Sequence, residues 1–168
     1  FEGFLKREEA TILDNINITL TALSSNKTAK DSQQHGVAFW VNKRLVGEPS
    51  WHLNKKYLAD GRTTMAKQYT IIVQTNDLLS DINQDWTAFK ENDRMEAVYE
   101  VVESFTNDVL KEANAMKNDD FKHSIIRKYA KEIQGLEHSS RRNILQLVDR
   151  VVDEVPELSK NFLDITVS

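Results

Sequence analysis

"GVAFWVNKRLVGEPSWHL", residues 36–53, decides how this chain is read. By composition the run could be a strand, since Val, Phe and Trp suit a half-buried pleated surface. By spacing it is a short helix: Val37, Trp40, Val41 and Leu45 fall at i, i+3, i+4 and i+8, on one face. A lone strand has no evident partner elsewhere in the chain, and no hairpin signal adjoins it. The helix is therefore the expectation. Gly47 then reads as its C-terminal cap, Pro49 as its stop and Ser50 as the N-cap of the next helix.

The same periodicity extends outward in both directions. Toward the N-terminus, Leu5, Ile12, Ile16, Leu20 and Leu23 trace a helical stripe, weakened by Asn15, Asn17, Thr19 and Thr21. The stretch "SSNKTAKDSQQHG", residues 24–36, carries no core-forming residue and is expected to be a mobile loop. Toward the C-terminus, Leu53, Tyr57, Met65, Tyr69, Ile72, Leu79, Ile82, Trp86 and Phe89 form one long stripe, which Gly61 interrupts with a kink or a break. From Asn92 the pattern is cleanest: Met95, Val98, Val102, Phe105, Val109, Ala113 and Met116 step by three and four. Asn118 is expected to open a further helix bearing Phe121, Ile125, Tyr129 and Ile133, which ends at Gly135. A last helix starts near Ser140, with Ile144, Val148, Val151, Val155 and Leu158, and bends at Pro156.

Amphipathic helices with short connections must bury their stripes against one another. The expected fold is all-α: an antiparallel bundle of four main long helices plus one or two short ones, one kinked near Pro156, in a single domain over residues 1–168. A content of 40% apolar and 29% charged residues, with only 5 Gly and 2 Pro, agrees with that class.

Chemistry is sparse. The chain has no cysteine, which removes disulfides, thiolate metal sites and cysteine nucleophiles. No Glu-x-x-His occurs, and Asp120-x-x-His123 reads as an acidic first turn beside a surface histidine. Asp149 and Asp153 read as a solvated acidic face, and Arg141 and Arg142 as solvated or able to grip a carboxylate or phosphate. No metal ligand, cofactor-binding residue or catalytic residue is assigned, and an enzyme is not expected. The net charge of −4 argues against nucleic acid as partner. No apolar run approaches a membrane span, although attachment to a membrane complex stays open. A first residue of Phe1 suggests a processed or excised chain, with an extracytoplasmic setting favoured over a cytoplasmic one. Asn17-Ile-Thr and Asn26-Lys-Thr are glycosylation triplets.

Charge is segregated along the chain. Residues 42–68 carry Lys43, Arg44, Lys55, Lys56, Arg62 and Lys67 against Glu48 and Asp60, whereas residues 77–120 are dominated by Asp and Glu. Two neighbouring helices of opposite sign would explain this, and so would an acidic docking face for a basic partner. Within the basic stretch, Trp40 and Trp51 flank the Gly-Glu-Pro corner. Core packing accounts for both rings. A partner-binding reading takes Trp40, Lys43, Arg44, Trp51, Lys55 and Lys56 together, because aromatic and Arg residues dominate protein hot spots. Two functions follow as expectations. The first is a non-catalytic domain that docks on a protein as a subunit, adaptor or extrinsic component of an assembly. The second is a ligand-sensing bundle that holds a small molecule between helices lined by Tyr57, Tyr69 and Trp86.

Overall fold

A computed structural model describes residues 3–24 and 35–154. The expected kink at Pro156, the Asn26 triplet and nearly all of the expected 24–36 loop lie outside the described residues. The chain divides into two compact units, Phe1–Leu110 and Lys111–Ser168.

The first unit is built on strands, and this overturns the all-α bundle. β1 (Gly3–Ile12), β2 (Ile16–Ser24), β3 (Gly36–Val41), β4 (Arg44–Ser50) and β7 (Tyr69–Thr75) form one sheet in the order β1-β2-β7-β3-β4. β5 (His52–Leu53) and β6 (Lys56–Tyr57) make a separate two-stranded hairpin. The sheet is mixed: β3 and β7 run parallel, and every other pair is antiparallel. The stretch expected to be a helix with a Pro stop is thus a hairpin, β3 to β4, followed by the start of another.

Period-two burial explains the strands. In β2, Ile16, Ile18, Leu20 and Ala22 are buried while Asn17, Thr19 and Thr21 are not. In β3 and β7 the buried alternates are Val37, Phe39 and Val41, then Tyr69, Ile71 and Val73. Register aligns Leu20, Val73, Phe39 and Val46 across four strands as one buried row. Phe39 meets Phe89 and Tyr99 edge-on from that row, at 5.1 and 6.0 Å between ring centres.

Two of the turns are two-residue loops of left-handed backbone. Asn42 and Lys43 have φ of 48° and 65° between paired Val41 and Arg44, and Asn54 and Lys55 have 45° and 68° between Leu53 and Lys56. Such turns match the twist of the strands they join, and Asn tolerates the left-handed region better than most residues. The β1–β2 turn uses Leu13 and Asp14 in the same region.

Gly47 caps no helix. It sits inside β4 at φ 63°, where its amide donates to the Trp86 carbonyl at 2.9 Å. A Cβ there would stand 2.6 Å from the Thr87 carbonyl oxygen. Gly47→Ala is expected to lower the stability of the first unit by about 2 kcal/mol, since an L side chain is strained at positive φ and backbone cannot easily give way. Urea unfolding followed by tryptophan fluorescence measures this, because Trp40, Trp51 and Trp86 all lie in the first unit.

From Asp93 the chain is helical: α1 (Asp93–Lys128), α2 (Ala130–Gln134) and α3 (His138–Glu154). α1 runs through Asn118 without a break, so the helix expected to start there is a continuation. Met95, Val98, Val102, Phe105 and Val109 bury the α1 stripe in the first unit. In the second unit, Ile125, Val148 and Val152 form a small core with Phe121, Tyr129, Ile144 and Val151 against it. Arg141 donates to the Ile133, Gln134 and Leu136 carbonyls, so it closes the end of α2 and is not a solvated anion grip. Asp149 pairs with Lys122 at 3.4 Å, and His123 bonds the Asp119 carbonyl of its own helix through Nδ1. No helix among the described residues is long and apolar enough to cross a membrane.

Candidate functional site

The structure separates the six residues of the partner-binding reading. Trp51 is buried, and its Nε1 donates to the Ala66 carbonyl at 3.1 Å. Arg44 stacks its guanidinium over Trp86, 4.3 Å from the ring centre, and so clamps the loop after β7 onto the hairpin. Lys55 pairs with Glu91 at 3.8 Å, and Lys56 with Glu103 at 3.0 Å. The basic and acidic segments do meet, but as a hairpin against a loop and α1, not as two helices. These pairs are exposed and each contributes about 0.2–1 kcal/mol. Asp81 of the acidic span is buried, and Asp85 accepts from Thr87, so part of that span is engaged within the chain.

Trp40 and Lys43 remain together. Register sets Leu45, Trp40, Gln74 and Thr19 side by side across four strands, on the face opposite the Phe39 row. Trp40 is 38% exposed there, against 7% for its neighbour Phe39. One strand thus presents two large rings to opposite sides, one sealed and one open. Lys43, at the tip of the turn, is exposed and has no carboxylate partner among the described residues.

Both side chains line an open groove of about 500 Å³ at the end of the sheet, together with Asn17, Thr19, Gln74 and Asp77. Its far wall is tied down. The Asn17 amide donates to Asp77 Oδ2 at 2.9 Å, its side-chain Nδ2 reaches the same oxygen at 3.3 Å, and Thr75 Oγ1 donates to the Asn17 carbonyl at 2.8 Å. The Asn42 amide donates to the Thr75 carbonyl at 3.1 Å, which joins the hairpin turn to the same wall. No family model matches the chain, and no curated protein does. Lys43 and Asp77 place opposite charges in the groove, and hydroxyl and amide groups on it both donate and accept.

A second concavity, of about 430 Å³, lies between Pro49–His52, Tyr57 and the loop at residues 59–67. Trp51 and the buried His35 form part of its wall. The three residues expected to line a ligand site between helices lie on strands and a loop of the first unit. Tyr57 is on the exposed face of β6, Tyr69 is buried in β7, and Trp86 lies in a loop. Among the described residues no three His, Asp or Glu side chains gather as a metal site.

Proposed function

We propose that this chain is a non-catalytic interaction domain that docks on a protein, and that the groove at Trp40 and Lys43 is its docking surface. One observation carries the reading: a large aromatic ring left open on a sheet face beside a cation with no carboxylate partner among the described residues. Trp is among the residues that protein hot spots favour. The groove has a charge of each sign and a wall of amides and hydroxyls. That suits a polypeptide segment, with its alternating donors and acceptors, better than a polyanion. The hydrogen-bonded wall keeps the surface in shape before the partner arrives, which lowers the ordering cost of binding.

A photo-crosslinker placed at position 43 in the native source identifies the partner, and the purified pair is then titrated. Trp40→Ala is expected to weaken binding about tenfold or more, with most of the change in the dissociation rate. Lys43→Glu is expected to slow association and flatten its salt dependence. Urea unfolding of both variants should match the parent. Unchanged affinity in Trp40→Ala, with the fold intact, overturns the assignment of this surface.

A further inference from the structure

The cleft at His35 is chemically unlike the docking groove. His35 is only 7% exposed, and neither Nδ1 nor Nε2 has a hydrogen-bond partner among the described residues. A buried polar group left unsatisfied destabilises the fold, so a ring with both nitrogens unmet calls for a partner. The same cleft is lined by His52, Arg62 and Lys67, and by no Asp or Glu among the described residues. Arg62 is held in plane by Asp60, through Nε at 3.1 Å and Nη2 at 3.1 Å. That pairing holds the Asp60 carboxyl below its usual range, and it leaves Nη1 of the five-donor guanidinium for another acceptor. Lys67 has no carboxylate partner among the described residues. On the open side stand His52 and Tyr57, tilted rings 4.6 Å apart, with Tyr57 82% exposed and Trp51 and Pro49 behind them.

We propose that this cleft binds a small organic oxyanion, a phosphate or carboxylate group carried on a planar ring. The oxyanion accepts from His35, Lys67 and Arg62, and the ring lies against Tyr57. Cationic donors select for negative charge, and the adjoining Asp60 carboxylate is taken up by one edge of Arg62. Aromatic walls at the mouth select for a flat apolar body. Gly36, next to His35, fixes the backbone at this point. Its φ is 116°, and a Cβ there would stand 2.5 Å from the Ser50 carbonyl carbon, so His35 is held tightly against the end of β4.

Nitrogen-15 spectra of the histidine rings test this on the whole chain, with inorganic phosphate and phenyl phosphate as probes at constant ionic strength. His35 and His52 are expected to shift saturably. His123 and His138, which lie in the second unit, serve as controls and should stay still. Phenyl phosphate should bind about tenfold tighter than phosphate, and Tyr57→Ala should erase that advantage. Lys67→Gln should weaken both probes about tenfold, and it carries the test should His35→Gln fail to fold. Parallel shifts of all four histidines, unaltered binding in Lys67→Gln, or equal affinity for the two probes would each overturn the proposal.

Discussion

Phe39→Ala is expected to remove about 3–5 kcal/mol from the first unit, the range for emptying a buried aromatic site. The ring sits at the middle of the sheet, opposite Val73 on β7 and Val46 on β4. It also meets Phe89 at 5.1 Å and Tyr99 at 6.0 Å, both edge-on, so one side chain joins the sheet to the loop after β7 and to α1. Edge-on pairs add about 0.5–1.5 kcal/mol beyond the area they bury. Against a total stability on the order of 5–15 kcal/mol, this loss brings the unit near its unfolding threshold. Tryptophan fluorescence in urea should show an earlier midpoint with the slope unchanged. A cycle with Tyr99→Ala should give a coupling of about 0.5 kcal/mol or more, as contacting residues do. A loss of less than about 1 kcal/mol, within the range of ordinary surface changes, would mean that the row through Phe39 is not the centre of the core.

Why the strands were hidden in the sequence comes down to a coincidence of periods. Ile12, Ile16 and Leu20 are four apart, close to one helical turn, yet Ile12 and Ile16 face each other across the β1–β2 turn and Ile16 to Leu20 is two strand repeats. The residue that separates the two readings is Ile18, which a helix would turn away and a strand buries at 2% exposure. In β3 the same role falls to Phe39, which the helical face of Val37, Trp40 and Val41 leaves out. The hairpins were also disguised. Asn42-Lys43 and Asn54-Lys55 supply the left-handed Asn of a tight turn without the Gly that normally follows it. The remaining obstacle is distance along the chain. β2 pairs with β7 some fifty residues away, and the parallel pairing of β7 with β3 leaves no local mark. Helices depend on neighbours four apart, so the stripe from Met95 to Val109 could be read directly, down to Asn92, whose side chain caps the Met95 amide. The candidate site was legible only in part. Trp40 and Lys43 stand out by type, but the alternation that puts Trp40 opposite Phe39 exists only once the run is a strand. His35 has no sequence mark at all, because its burial comes from the fold.

Asp81→Ala carries the second large effect, and it acts through hydrogen bonds where Phe39 acts through packing. Asp81 is 4% exposed, in a 3-10 turn at Leu79–Asp81. Its Oδ1 accepts from Asn92 Nδ2 at 2.9 Å and its Oδ2 from Arg94 Nε at 3.3 Å, while its main-chain oxygen accepts from the Lys90 amide at 2.7 Å. Asn92 in turn accepts from the Met95 amide at 2.8 Å, so the carboxylate orients the residue that caps α1. Removing one member of a fully buried ion pair costs about 3–5 kcal/mol. Here the Arg94 side chain is 34% exposed and keeps the Asp77 carbonyl at 3.1 Å, so water and that acceptor recover part of the loss. The expected cost is therefore about 2–3 kcal/mol, with Asp81→Asn near half of that because it keeps an acceptor for Asn92. Hydrogen exchange distinguishes this from a general loosening. The Met95 and Glu96 amides at the start of α1 should exchange faster relative to the β2 and β7 amides in Asp81→Ala, because the cap opens before the sheet does. Equal acceleration across helix and sheet would mean that Asp81 supports the unit as a whole and does not hold the α1 cap.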